Sequence, residues 1–356
     1  MEVLFFVKPG FTVVSLLLEG VKSSPMDIPL RKSIQRGIRI SVTLVVVTLF
    51  VILLFTVERE TFRALTQLRP LSIFALFFLW AIFIVLDGLR LSLLTKAGET
   101  PISLRRAVEV NLVGYFFAAV TPFQTGGFPF QVLLLKKDRI SPGRAMAYLS
   151  LRGILIYAPI YILAPIFILA FSQIARRGII QLLLNYLVIV LIGLGFLIFL
   201  AFLKPDRTEA LVEKIRPRLS KRIASLVDLL LAEVEEFRLS FGQIRRHQHA
   251  KRLLTLVLGV SIFALAIYLF LAPAVLMALG TPEVHIGLTM ALQAVLMALL
   301  LFVPTPGAGG IAEMGGLALF SLVAPKYLLG IFVILWRFFT FYLSAIVGGM
   351  IALKEF

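Results

Sequence analysis

Six stretches of this chain, roughly 40–57, 71–94, 144–171, 182–203, 253–279 and 327–353, are long and apolar enough to cross a lipid bilayer. A spanning helix needs about 20 mostly apolar residues, and in lipid the backbone must satisfy its own hydrogen bonds. The chain therefore reads as an all-α polytopic membrane protein. Composition agrees: 60% of residues are apolar, against roughly 45–50% in soluble domains. No soluble enzyme core fits such a sequence.

Two further apolar runs do not read as simple spans. The run over 105–135 is broken by Thr121-Pro122-Phe123-Gln124-Thr125-Gly126-Gly127, and the run over 287–323 by Pro304-Thr305-Pro306-Gly307-Ala308-Gly309-Gly310. Proline removes an amide donor and glycine weakens helix, so each run reads as two half-helices joined at mid-depth. Pro122, Gly126, Gly127, Pro304, Pro306, Gly307, Gly309 and Gly310 are the expected hinges.

With both hairpins re-entrant and the N-terminus inside, the inner segments carry 26 Lys and Arg and the outer segments six. That split follows the positive-inside rule and puts both termini in the cytoplasm. Residues 1–39 lack a basic start and a cleavage site, so they read as a cytoplasmic or interfacial tail. Residues 204–252, with twelve basic residues and apolar positions at helical spacing, read as an amphipathic connector on the lipid surface.

The same topology implies an inverted repeat, 40–171 against 172–353. Each half runs span, span, hairpin, span, and the second begins on the opposite side. Thr121-Pro122 with Gly126-Gly127 is echoed by Thr305-Pro306 with Gly309-Gly310, and Arg152 and Arg337 fall 25 and 27 residues after those glycine pairs. Inverted repeats with broken helices are a transporter signature. Other chemistry finds little support. The chain has no Cys, His247, His249 and His285 lie outside the apolar runs, and no phosphate-binding Gly-Lys-Ser/Thr loop occurs. No cofactor, metal or nucleic acid is expected.

The two hairpin motifs, Thr121 to Gln131 and Pro304 to Glu313, resemble those of the lysylphosphatidylglycerol synthase transmembrane region family, the flippase-like domain of multiple peptide resistance factors, over about residues 35–353. Phe128 stands where many relatives have a polar residue. The sequence stops at Phe356, so the soluble aminoacyl-transferase domain of the bifunctional relatives is expected to be absent. The resemblance implies a multi-pass protein of a prokaryotic inner membrane that moves or binds a lipid.

Glu313 is the sharpest candidate, since a carboxylate at mid-membrane needs a partner or a function. It can hold a headgroup amine or switch with a proton; it can equally cap the second half-helix or pair with Arg337. Arg152 and Arg337 sit roughly 12–15 Å inside their spans at 1.5 Å per residue. An Arg fork matches phosphate, so both can hold a lipid phosphate in a shared cavity, Arg152 aided by Tyr148 and Arg337 by Trp336 or Tyr342. Alternatively they cap hairpin carbonyls. Thr121, Gln124, Thr125, Gln131 and Thr305 complete the substrate-binding set, or satisfy freed backbone groups. Asp87 and Arg90, three apart, read as a local ion pair, as do Arg105 and Glu109. Asn185 has no assigned role. The leading expectation is a translocator of a phospholipid or polyprenyl-phosphate-linked lipid, with anionic lipids as partners. The alternatives are a membrane-embedded phosphatidylglycerol lysyltransferase-type enzyme and a non-catalytic partner of a separate transferase. Homo-oligomerisation is open.

Overall fold

The computed structural model describes residues 70–170, 250–281, 283–300 and 303–356, with a few single positions between 171 and 249. Among them there are helices and no strand. The expected spans at 40–57 and 182–203, the tail 1–39 and the connector 204–252 lie outside the described residues, apart from single positions such as Asn185.

Helix α1 is Pro70–Ala97, α2 Leu104–Val120, α3 Gly127–Lys137, α4 Pro142–Ala170 and α5 Ala250–Ala278. Then come α6 Ile286–Leu300, α7 Ile311–Phe320, α8 Lys326–Arg337 and α9 Leu343–Glu355. Among the described residues, four helical stretches are long and apolar enough to cross a membrane, within α1, α4, α5 and the continuous run Lys326–Glu355. That last run is not the uniform helix its apolarity suggests. Phe338–Tyr342 forms a π turn between α8 and α9, a distortion that occurs often at functional sites.

Both broken runs double back. The arms α2 (17 residues), α3 (11), α6 (15) and α7 (10) are each shorter than a spanning helix. At the base of the first hairpin Arg106 reaches Asp138 at 2.9 Å, tying the start of α2 to the end of α3. Arg106 also pairs with Glu355, and Lys137 lies 4.5 Å over the Phe356 ring, so the end of α9 sits at the same base. Phe117 and Phe130 stack between the arms with centroids 3.4 Å apart.

The two tips share one backbone conformation over their first four residues. A Thr-Pro pair leads into two left-handed residues, Phe123 (φ 53°) and Gln124 (φ 56°) in one tip, Gly307 (φ 59°) and Ala308 (φ 57°) in the other. The next amide then closes a tight turn, Thr125 on the Pro122 carbonyl and Gly309 on that of Pro306. Three of the four left-handed residues carry a Cβ. Gly126 (φ −71°) and Gly309 (φ −59°) do not have positive φ, whereas Gly310 (φ 83°) does. Gly127 serves close approach instead: a Cβ there would lie 2.7 Å from the Gly114 carbonyl oxygen of the facing arm.

Packing crosses the sequence. Helix α1 packs most extensively on α5, α2 on α9, and α6 on α4, and the two tips touch each other. Small residues allow these approaches, as between membrane helices generally. At Gly348 of α9 the Leu112 carbonyl of α2 occupies the space a Cβ would need. One buried apolar cluster gathers α5 to α8 and the far half of α4; another gathers α2, α3 and the near half of α4.

Candidate functional site

Two buried charged clusters flank the hairpins. The first grows from α1. Asp87 is fully buried in an otherwise apolar helix, where an unpaired carboxylate would be costly. It is saturated by donors from three helices. Arg90 Nη1 donates to its Oδ1 at 3.0 Å, and Arg152 of α4 grips both oxygens, Nε to Oδ1 at 3.0 Å and Nη2 to Oδ2 at 2.5 Å. From α2, Asn111 Nδ2 and the Tyr115 hydroxyl each donate to Oδ2 at 3.0 Å. Gln131 of α3 reaches the Asn111 side-chain carbonyl at 3.4 Å. Arg90 also donates to the Arg152 backbone carbonyl at 2.6 Å. Thus the i, i+3 pair exists as its spacing suggests, but it is one edge of a network that joins α1, α2, α3 and α4.

The second cluster is built on the other hairpin. Glu313 sits in the first turn of α7, where the carboxylate accepts the free amide of Gly310 at 2.6 Å; a helix start favours a negative charge there. Its other oxygen accepts from Arg337 Nε at 3.2 Å and from the Tyr342 hydroxyl. Arg337 Nη2 donates to the Gly307 carbonyl at 2.5 Å, and its guanidinium lies 4.1 Å from the Phe341 ring centroid. The π turn brings both Phe341 and Tyr342 to this cluster. Glu313 is fully buried and Arg337 nearly so.

Arg152 and Arg337 occupy separate clusters, each on its own carboxylate, with no bond between them. The Tyr268 hydroxyl of α5 donates to the Thr340 carbonyl of the π turn at 3.4 Å. Tyr148 does not assist Arg152; its hydroxyl bonds Thr100 at 2.9 Å and the Gly98 carbonyl at 3.1 Å. Trp336 packs on Phe320 rather than on the charges.

The polar tip residues serve backbone. Thr121 donates to the Phe117 carbonyl at 2.7 Å and accepts from the Gly126 amide at 2.8 Å. Thr125 donates to the Pro122 carbonyl and Thr305 to that of Gly309. Gln124 crosses between tips, donating to the Leu300 carbonyl at 3.4 Å. The tips differ in exposure: Pro306 to Ala308 are buried, whereas Pro122 and Phe123 are exposed.

Gln293 went unnoticed in the sequence. Fully buried in α6, it accepts from the Ala272 amide at 3.2 Å and donates to the Tyr268 carbonyl at 2.8 Å, beside Pro273 in α5. A lone Gln in an apolar segment opposite a helix proline was the available signal. Among the described residues no group of three or more His, Cys, Asp or Glu could hold a metal.

A family model described as the lysylphosphatidylglycerol synthase TM region matches residues 38–348. A UPF0104 membrane protein of Archaeoglobus fulgidus is 24% identical over 321 residues, covering 84% of this chain and 91% of its own length. No solved structure matches.

Proposed function

Since the chain belongs to the lysylphosphatidylglycerol synthase TM region family, we propose that it is a lipid translocator, moving a phospholipid or polyprenyl-phosphate-linked lipid between leaflets of a prokaryotic inner membrane by alternating access. The observation that carries this reading is the meeting of the two hairpin tips, the second of them bonded through the Gly307 carbonyl to the buried Arg337–Glu313 pair. Two broken hairpins that touch at their tips form a barrier which, opened to one side at a time, passes a polar headgroup while the acyl chains stay in lipid. The inverted repeat, with 40–171 and 172–353 as its halves, supplies the symmetry for such rocking. In this scheme Arg152, Arg337 and Glu313 meet the headgroup once their present partners exchange. Thr121, Gln124, Thr125, Gln131 and Thr305 provide neutral hydrogen bonds along the path. Both termini face the cytoplasm.

Purified protein in liposomes, assayed for movement of labelled phospholipids and polyprenyl phosphates, tests the reading. Scrambling or directed movement above that of empty liposomes supports it. Lipid binding without movement favours a non-catalytic partner of a transferase, and headgroup modification favours the enzyme alternative.

A further inference from the structure

Among the described residues the first cluster does not balance its charge. Two guanidinium groups, Arg90 and Arg152, share the single carboxylate of Asp87. Among the described residues no second carboxylate pairs with either arginine. Asp87 and Arg90 are sealed, with side-chain exposures of 0%, while Arg152 keeps 11%. Arg90 Nε is buried and has no hydrogen-bond partner. Arg152 spends Nε and Nη2 on Asp87, and no described residue engages its Nη1. The second cluster is different: Arg337 and Glu313 balance one to one, and both are enclosed. A surplus positive charge inside a membrane protein is costly unless an anion completes it.

We infer that the Asp87–Arg90–Arg152 cluster is an anion-binding site for a phosphate group, in which Asp87 is a built-in counter-ion that the incoming phosphate displaces from Arg152. Arg152 is the entry, because it alone of the three retains exposure. Its planar fork takes a phosphate oxygen pair as it now takes the Asp87 carboxylate. Arg90, held by Asp87 and the Arg152 carbonyl, supplies the surplus charge that makes a second anion favourable. Displacement breaks the side-chain link between Arg152 and Asp87, while the Arg90 bond to the Arg152 carbonyl and the Asn111 and Tyr115 bonds to Asp87 stay in place. The inference deepens the lipid reading by assigning the headgroup phosphate to one side of the molecule, and rests on it only for the source of that phosphate.

The test is binding to purified full-length protein in neutral detergent, titrated with inorganic phosphate, short-chain phosphatidylglycerol and short-chain phosphatidylcholine. Wild type is expected to bind phosphatidylglycerol. Asp87→Asn removes the competitor and tightens binding tenfold or more, and Arg90→Gln, which leaves Arg152 and Asp87 balanced, weakens it tenfold or more. A cluster that merely holds helices together predicts unchanged affinity in Arg90→Gln and no tightening in Asp87→Asn; either result overturns the site. Should Asp87→Asn fail to fold, Arg90→Gln decides alone. Inorganic phosphate binding that depends on Arg90, without phosphatidylglycerol binding, keeps the site and removes the lipid. Absence of binding by any of the three probes also overturns it. Equal, Arg90-independent binding of phosphatidylcholine and phosphatidylglycerol leaves the translocator reading standing and refutes this one.

Discussion

Replacing Glu313 by Gln leaves a group of the same shape but removes the charge that faces Arg337. The guanidinium is then buried, 4% exposed, without a counter-charge, beside the Gly307 carbonyl and the Phe341 and Tyr342 rings. Removing one partner of a buried pair costs roughly 3–5 kcal/mol, because the other charge is stranded. Arg337→Met strands Glu313 in turn, softened by its Gly310 amide and Tyr342 contacts, and falls at the lower end of that range. In the double variant neither charge remains. What is lost is then a few hydrogen bonds, at about 1 kcal/mol each. The double variant is therefore expected to be no worse than the Glu313→Gln single, which makes the coupling about 3 kcal/mol or more, at the top of the range for residues in contact. Reversible unfolding of all four proteins in mixed micelles, followed by circular dichroism, measures it. Additivity within about 0.5 kcal/mol would refute the pairing. A loss of transport in Glu313→Gln counts as functional only after the double variant has been compared, because destabilisation alone is enough to abolish it.

Gly348→Ala drives a Cβ into the Leu112 carbonyl, and overpacking of this kind costs about 1–3 kcal/mol; a lower unfolding midpoint is the readout. Gly307→Ala puts a Cβ on a left-handed residue, at roughly 1–2 kcal/mol, and 3.0 Å from the Ala119 carbonyl at the end of α2. It should lower stability and perturb cross-linking between the tips. Gln293→Leu removes a bond from both the Ala272 amide and the Tyr268 carbonyl, costing about 1–3 kcal/mol for each group left unsatisfied, whereas Gln293→Glu retains the acceptor and loses the donor. For topology, Lys136→Cys in this Cys-free chain is expected to react with impermeant thiol reagents only from the cytoplasmic face; labelling from outside would reverse the orientation.

The four described spans and both hairpins were legible because apolar runs and Pro-Gly breaks are local features, written in consecutive residues. Glu313 was legible for the same reason, as a lone carboxylate after a glycine pair. What escaped depends on partners distant in sequence. Asp87 and Arg90 announced a pair, but Arg152, 62 residues beyond Arg90, does not advertise which carboxylate it will choose. The pseudo-equivalence of Arg152 and Arg337 suggested one shared cavity. The folded chain gives each a different counter-ion, since α1 offers an acid at Asp87 and the position of Glu313 has no acidic match in the first tip. Glycines drew attention as hinges, yet Phe123 and Gln124 accept left-handed backbone where the hairpin closure demands it. The π turn left no mark in Phe338–Tyr342, an apolar aromatic stretch that would suit ordinary helix equally well.

The pairing of α2 with α9 sets a schedule for biogenesis. Helix α2 leaves the ribosome early, but the surface it packs on most extensively belongs to the last described helix, and Gly348 must arrive before Leu112 has its seat. During translation the first hairpin therefore waits in the bilayer half-packed, with Asn111 and Gln131 already holding each other and their outer neighbour still unmade. A nascent chain halted before α9 is not a smaller version of this protein but an unclosed one.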